Sequence, residues 1–406
     1  MQEQLFSYLD QQHDFVARLQ KGMTAIPAIG PENNGDGEAQ KALYLRKAMQ
    51  AIGVGEIREI NAPDNRVSAG FRPNLAARIE GKSPRTLWII GHMDVVPAGD
   101  ASLWESPPFD MQQSGDLLYG RGVEDNQQAI ASALLVIKTL TENKITPDLS
   151  LGVLLVSDEE THSHYGLKYV MEAAPDLISP EDLVVIPDIG DQFGMHIEVA
   201  EKSCLWLRIA VTGKQCHAST PDEGINTLLA SSAAVLALEE LASFFPQKDA
   251  LYSPPRSTFV PSKKEANVDN INTVPGLDVF YLDCRVLPGV ELEAVAAKAE
   301  ELVTKAVKPY KAGVKIQAIH SEKAPEPTSL EAPVVRRLMR SLKKLRQLDA
   351  RPVGAGGQTV AAVLRARGIP AAAWSTILGN AHAPNEKSSI INTIADAKVL
   401  TDMLFD

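Results

Sequence analysis

The sequence predicts an α/β protein with a mixed, largely parallel sheet flanked by helices and an inserted α+β two-layer sandwich. Two observations lead to this fold class. Aliphatic strands such as 86–92 and 149–156 alternate with helical stretches such as 126–143, as they do in domains built on parallel sheets. From residue 204 the pattern changes to alternating apolar and polar residues (CLWLRIAVTGK), which is typical of a strand with one solvated face.

The altered pattern continues through a strand at 277–287, an amphipathic helix at 291–310 and a further strand that begins near residue 313. This order predicts a small α+β sandwich. Helix–strand alternation then returns until the end of the chain. We therefore expect a discontinuous catalytic domain made of residues 1–204 and 318–406, with an inserted domain at 205–317.

Composition limits the possible partners. The 406 residues include 40 basic and 51 acidic ones, for a net charge of −11. This balance argues against nucleic acid and against an anionic membrane surface. We see no secretory signal and no apolar stretch that approaches the roughly 20 residues of a membrane span. Three sparse cysteines fit a reducing compartment, so we expect a cytoplasmic protein.

The strand at 149–156 ends in three adjacent acids, Asp158, Glu159 and Glu160. Adjacent carboxylates repel each other, and a partly buried carboxylate is costly unless it is paired. One explanation is a solvated loop. The other is a bound cation.

Four similar clusters occur elsewhere. Each has an ordinary structural explanation when taken alone, such as a satisfied histidine or a helix cap. However, loops at the carboxyl ends of strands line the ligand crevice of an open α/β sheet, so together the clusters predict a metal site there. They are His92 with Asp94, Glu124 with Asp125, Asp188 with Asp191, and His382 with Glu386.

The side chains suit two divalent ions per chain. Two histidines and several carboxylates favour Zn²⁺, with Co²⁺ or Mn²⁺ as alternatives. A carboxylate that bridges two ions about 3.5–4 Å apart is a common hydrolase design. One of the paired glutamates can then bind metal while its neighbour stays free as a base.

Five motifs occur in a fixed order: GHMDVVP, GRGVEDNQ, SDEET, GKQCHASTPDEGINT and AHAPNE. With them the chain resembles, over nearly its whole length, the dinuclear zinc amidohydrolase and peptidase family. That family includes acetylornithine deacetylase, succinyl-diaminopimelate desuccinylase, glutamate carboxypeptidase, aminoacylase and related dipeptidases. The resemblance implies a zinc-peptidase-like catalytic domain and an inserted lid or dimerisation domain.

The resemblance also implies roles for individual residues. Asp188 matches its position better than Asp191, which competes for the same role. The implied roles are His92 and Asp188 as ligands of one ion, Glu160 and His382 as ligands of the other, Asp125 as the bridging ligand, Glu159 as the general base, and Asp94 as the partner of His92 behind the metal.

Further positions resemble substrate-binding residues. His217 corresponds to an oxyanion donor that reaches the partner subunit's active site in dimeric relatives, which implies a homodimer through the inserted domain. Without the resemblance it reads as a surface histidine. Arg285 and Asn272 match residues that hold the substrate, although a surface salt bridge explains Arg285 equally well. A glycine-rich loop, which includes Gly356, Gly357 and Thr359, either binds a carboxylate through its backbone amides or forms a structural turn.

Two departures from the family pattern concern the subfamily and the shape of the substrate pocket, respectively. Asn126-Gln127 follows the predicted bridging aspartate, where many relatives have Met-Lys or a similar pair. Val360 occurs where many relatives have an aspartate. His162 and His164, beside the paired glutamates, are expected to be loop residues.

These observations favour a metal-dependent hydrolase that cleaves an amide bond in a small N-acyl amino acid or dipeptide-like substrate. A metal-bridged hydroxide would attack, with Glu159 as general base. A narrower alternative is succinyl-diaminopimelate desuccinylase or acetylornithine deacetylase in amino-acid biosynthesis. A non-catalytic metal-binding scaffold is a further alternative, against which the retained Glu159 argues. A serine hydrolase is disfavoured because no G-x-S-x-G elbow is present.

Overall fold

The computed structural model describes residues 2–161, 163–357 and 359–405. The chain divides into two compact units. The first unit comprises Met1–Val199, Thr328–Pro352 and Thr359–Asp406, and the second comprises Ala200–Pro327 and Val353–Gln358.

Eleven α-helices lie within the described residues. They are α1 (Gln2–Asp10), α2 (His13–Thr24), α3 (Ala39–Ala51), α4 (Gln127–Glu142), α5 (Leu167–Ala173), α6 (Thr227–Ala237), α7 (Leu241–Phe244), α8 (Leu292–Val307), α9 (Pro333–Arg346), α10 (Ala361–Arg365) and α11 (Ile390–Asp402).

Nineteen strands lie in the same described part of the chain. They are β1 (Ile57–Glu59), β2 (Ala62–Pro63), β3 (Phe71–Arg72), β4 (Leu75–Ile79), β5 (Ser83–His92), β6 (Gln112–Ser114), β7 (Leu117–Tyr119), β8 (Leu149–Val156), β9 (Leu183–Asp191), β10 (His196–Glu201), β11 (Ser203–Thr212), β12 (Cys216–His217), β13 (Thr258–Lys264), β14 (Thr273–Val274), β15 (Leu277–Val286), β16 (Gly313–Glu322), β17 (Arg351–Ala355), β18 (Ala371–Thr376) and β19 (Lys387–Ser389).

The large sheet has the order β1-β4-β8-β5-β9-β18-β10-β17. Its centre is parallel, because β5 pairs in parallel with β8 and β9, and β9 pairs in parallel with β18. The pairs β1–β4, β4–β8 and β10–β18 are antiparallel. The predicted mixed sheet is therefore confirmed, and its parallel pairs lie at its centre.

Helices cover both faces of this central sheet. All eight residues of β8 are buried, as expected for an aliphatic strand covered on two sides. The helix α4 packs against β5 and β8, while residues of α5 and α10 join a core cluster with Trp88, Ile90 and Leu154. Since β5 and β8 run in parallel, their carboxyl ends at His92 and Val156 lie side by side.

The second unit contains an antiparallel sheet of order β13-β15-β11-β16. The helices α6 and α8 pack on it, and their apolar residues share one core cluster with β11 and β15. This is the expected two-layer arrangement. The strand β16 continues to Glu322, so the sheet runs past residue 317, where we placed the end of the insertion.

One helical stretch among the described residues, Thr227–Phe244, is long and apolar enough to cross a membrane by length and composition. The expectation that no stretch approaches this length was therefore wrong by that measure. A third of the stretch is buried. Ala230 and Ala234 of α6 contribute to the core cluster of the second unit, so this helix has a packing role in the fold.

Candidate metal centre

A first group of possible metal ligands, His92, Asp125 and Asp188, lies at the carboxyl end of the central strands. One ligand atom from each residue lies within 4.8 Å of the others. The His92 Nε2 atom is 2.9 Å from an Asp125 carboxylate oxygen and 3.6 Å from one of Asp188. His92 is the last residue of β5 and Asp188 lies near the end of β9, so the parallel sheet brings them together.

A second group consists of Asp125, Glu160 and His382, again with ligand atoms within 4.8 Å of one another. The His382 Nε2 atom is 3.2 Å from Asp125 Oδ2 and 3.1 Å from Glu160 Oε2. Asp125 belongs to both groups and uses a different oxygen toward each histidine. The geometry thus places it between two candidate ion positions.

The donor set fits cations. Each Nε2 atom faces two carboxylates, which is one more than a single N–H donates to well. Burial would lower the pKa of His92, but hydrogen bonds to Asp125, Asp188 and Asp94 outweigh it and raise that pKa well above its usual value. Hydrogen bonds to Asp125 and Glu160 raise the pKa of His382 to about 10. Such concentrated negative charge is what divalent ions neutralise.

Asp191 lies outside both groups. Its carboxylate accepts hydrogen bonds from the backbone N–H groups of Phe193, Met195 and His196, at 2.7, 3.0 and 2.7 Å. It therefore closes the turn that follows β9. Of the two competing aspartates, Asp188 is the one that faces His92.

Asp94 makes a contact that differs from the expected one. The nearer partner of His92 Nδ1 is the Asp94 main-chain carbonyl oxygen, at 3.1 Å, whereas the Asp94 carboxylate is 3.5 Å away. The two carboxylate oxygens accept the backbone N–H groups of Glu159 and Glu160, at 3.1 and 3.0 Å. Asp94 therefore fixes the backbone of the paired glutamates as well as the ring of His92.

Glu159 lies beside the two groups but is a member of neither within the part of the chain that the structure describes. Burial, followed by the negative charge of Asp188, raises the pKa of its carboxyl well above the usual value. The paired glutamates that follow β8 therefore differ: Glu160 belongs to a ligand group, whereas Glu159 stays outside both groups.

The roles of two residues near Asp125 were not predicted from the sequence. The Asn126 side chain accepts the backbone N–H of His92 at 3.2 Å and donates to Asp188 Oδ1 at 2.7 Å. It therefore holds two members of the first group. Helix capping does not explain Glu124, whose carboxylate accepts hydrogen bonds from backbone groups at residues 378–380.

The five predicted substrate-binding residues and the predicted oxyanion donor are distributed over both units. His217, Asn272, Arg285, Gly356 and Gly357 belong to the second unit, whereas Thr359 belongs to the first. Thr359 accepts the backbone N–H of Ala361 through its hydroxyl oxygen, at the start of α10. His162 and Gln358 lie outside the described residues.

Within the second unit, Arg285 and the glycine-rich loop come together. Arg285 Nη1 donates to the Gly356 carbonyl at 3.3 Å, while Nε and Nη2 bond Asp283 at 2.8 and 3.1 Å. The salt bridge that we weighed as an alternative for Arg285 is therefore present. His217 and Asn272 are exposed.

An α/β sheet that ends in two histidine–carboxylate groups with a shared aspartate defines a candidate dinuclear metal centre of the hydrolase type. Residues 88–406 match the sequence model of peptidase family M20/M25/M40. The chain belongs to this family and is a metallohydrolase, so the predicted family and enzyme class are confirmed.

Relatives agree with this assignment. An uncharacterized metallohydrolase of Methanococcus maripaludis is 35% identical over 413 residues, covering 96% of this chain and 99% of that protein. A succinyl-diaminopimelate desuccinylase of Nitratiruptor sp. is 28% identical over 308 residues, covering 75% of this chain and 79% of that protein.

Solved structures share the fold. Human carnosine dipeptidase 1 superposes with a TM-score of 0.76 at 14% identity, over 99% of this chain and 98% of that one. The M20 family metallo-carboxypeptidase Sso-CP2 from Sulfolobus solfataricus gives 0.73 at 20% identity, over 96% and 98%.

Proposed function

We propose that this protein hydrolyses the amide bond of a small N-acyl amino acid or dipeptide-like substrate, with Glu159 as general base. The observation that supports this most strongly is the pair of ligand groups joined by Asp125, with the partly buried carboxylate of Glu159 beside them in neither group. His92 and Asp188 would hold one ion, Glu160 and His382 the other, and Asp125 both. Zn²⁺ suits this donor set best, with Co²⁺ or Mn²⁺ as alternatives.

Two ions bound here would lower the pKa of water and polarise the scissile carbonyl. Glu159 takes a proton from the attacking water and returns it to the leaving nitrogen. Burial, followed by the negative charge of Asp188, raises the pKa of the Glu159 carboxyl, which is the direction that suits a group that both accepts and releases a proton. Asp94 keeps the Glu159 and Glu160 backbone in place through its two N–H···O bonds.

His217 is the proposed donor to the developing oxyanion. Its Nδ1 atom accepts the backbone N–H of Ser219 at 3.1 Å. The neutral ring therefore carries its proton on Nε2, which leaves an N–H free to donate to a substrate oxygen. Arg285 is the proposed partner for a substrate carboxylate, which would compete with Asp283 for the guanidinium.

We further propose that the protein is a cytoplasmic homodimer that associates through the second unit. Large apolar side chains are exposed there on α6, with Leu229 56% and Leu236 68% accessible. Exposed apolar patches of this kind favour association. All three cysteines are free thiols, which suits a reducing compartment.

A succinylated amino acid is the second candidate substrate, favoured by relatives named succinyl-diaminopimelate desuccinylase.

The test gives N-acetyl amino acids, N-succinyl amino acids and dipeptides to purified, zinc-loaded protein. Glu159→Ala is tested in parallel, with Glu172→Gln as the control because Glu172 is an exposed carboxylate on α5. Amide cleavage by wild type and the control alone supports the proposal. Metal binding without cleavage of any substrate contradicts it.

A further inference from the structure

Two loops carry predicted ligands of the second group. The Asp125 loop (residues 120–126) follows β7, and the His382 loop (residues 377–386) precedes β19. The strands β7 and β19 are paired up to Tyr119 and Lys387, and the Gly120 N–H adds one more bond to the Glu386 carbonyl at 3.0 Å. Beyond that point side chains determine how far apart the two loops lie.

Glu386, in the His382 loop, binds the backbone of the Asp125 loop. Its fully buried carboxylate accepts the N–H groups of Gly122, Glu124 and Asp125, at 3.0, 2.9 and 3.1 Å. Arg121 donates to the same carboxylate at 2.5 Å and to the His382 carbonyl at 3.2 Å. The Glu386 side chain thus fixes the backbone of the Asp125 loop up to Asp125, the ligand that both groups share.

Glu124, in the Asp125 loop, does the converse. Its carboxylate accepts the N–H groups of Leu378, Gly379 and Asn380, the last two at 3.1 and 2.7 Å. The Asn380 side chain adds a bond at 3.1 Å. The side chain of Glu124 is almost completely buried. Hydrogen bonds to an ionised acceptor are about twice as strong as neutral ones.

The His382 loop needs such support. His382 has a φ of +64°, in the left-handed region that a residue with a Cβ adopts only when its surroundings hold it there. The last backbone N–H that Glu124 accepts belongs to Asn380, two residues before His382. Arg121 donates to the carbonyl of His382 itself. These contacts hold the imidazole toward Asp125 and Glu160.

We propose that Glu124 and Glu386 form a reciprocal clamp of positioning residues that sets the affinity of the second group for its metal ion. The inference rests on the proposed function, because it takes the second group to hold an ion. The two members differ in reach. Glu124 holds only the His382 loop, whereas Glu386 holds the N–H of Asp125, which belongs to both groups. Loss of Glu124 therefore weakens one site, and loss of Glu386 weakens both.

The test is a zinc titration of metal-free protein against a chromophoric chelator, which reports each binding step without any substrate. Glu124→Gln keeps the size of the side chain but places an NH₂ group against backbone N–H donors. We expect the ion at the first group to bind as in wild type and the ion at the second group to bind about 10–100 times more weakly, the usual cost of losing a group that orients a ligand. Glu386→Gln should weaken both steps.

Asp182→Asn is the matched control. Asp182 is also a buried carboxylate with three donors, Thr86 N–H, Ser179 N–H and Trp88 Nε1–H, but it lies beside the opposite end of β5 from His92. Its titration should match wild type. The clamp would be overturned if Glu124→Gln binds both zinc ions as tightly as wild type does. It would also be overturned if Asp182→Asn loses as much zinc affinity as Glu124→Gln.

Two outcomes separate this inference from the proposed function. A wild-type protein that binds no zinc contradicts the proposed function itself, whereas wild type with two steps and an unaffected Glu124→Gln contradicts the clamp alone. If Glu124→Gln does not fold, Asn380→Ala decides, since it removes one of the donors to Glu124. Weaker binding of one of the two ions in that variant supports the clamp, and a titration that matches wild type overturns it.

Discussion

Glutamine at position 159 would remove the proposed proton acceptor while leaving the size of the side chain unchanged. Because Glu159 belongs to neither ligand group, Glu159→Gln should still bind two zinc ions per chain. Asp94 holds this position through the backbone N–H, so the substitution leaves that bond in place. The variant therefore separates metal binding from catalysis.

The expected loss follows from the role of a general base. Proton transfer by a positioned side chain contributes about 10²–10⁴-fold in rate, which corresponds to about 3–5 kcal/mol of activation free energy. Burial, followed by the negative charge of Asp188, raises the pKa of Glu159, which is the direction expected of a group that accepts a proton. We expect kcat to fall by about 10³–10⁴, with little change in KM.

The assay is initial-rate cleavage of the best substrate at saturating zinc, with the metal content of each sample measured in parallel. Glu172→Gln, on the following helix α5, controls for the loss of one negative charge. A fall in kcat of less than tenfold in Glu159→Gln at full metal content would refute the role of base. Loss of metal from this variant would refute the division between Glu159 and Glu160.

Three further predictions follow from the same geometry. If His217 serves the partner's site, mixing inactive Glu159→Ala with inactive His217→Ala should restore part of the activity after subunit exchange. Mixtures that stay inactive contradict that placement of His217. Zinc at 1,000 times its Kd should raise the free energy of unfolding by about 4 kcal/mol per site over chelator-treated protein, and coincident unfolding curves would contradict metal binding. Asn126→Ala should weaken metal binding at the first group by about 10–100-fold, because it loses the bond to Asp188, whereas Asn143→Ala at the far end of α4 should leave the same titration unchanged.

Strand patterns gave the central sheet and most of the candidate site. His92, Asp188 and Glu160 follow aliphatic runs that are buried on both faces, and parallel pairing brings such strand ends to one edge. The order of the short motifs added Asp125 and His382. The strand ends were predictable because strands that alternate with helices pair in parallel, which brings their carboxyl ends to one edge. The roles of Asp125 and His382, which lie in loops, came from the family resemblance of the motifs.

The supporting contacts were not predictable in the same way. The Asp94 carboxylate binds the backbone of Glu159 and Glu160, and Asn126 bonds Asp188 directly. Glu124 and Glu386 lie in two irregular loops, and each carboxylate accepts backbone N–H groups of the other loop. Loop conformations place these N–H groups, and no hydrophobic period in the sequence reports them. An acidic residue beside a ligand therefore looked like a helix cap until the loops were seen.

The most direct test of a dinuclear metallohydrolase is the activity of metal-free protein as zinc is added in measured equivalents. We expect no amide cleavage without metal, and a rate that rises until two equivalents per chain are bound and then levels off. Cleavage at an unchanged rate in the presence of a strong chelator, or a plateau without any bound zinc, would contradict it.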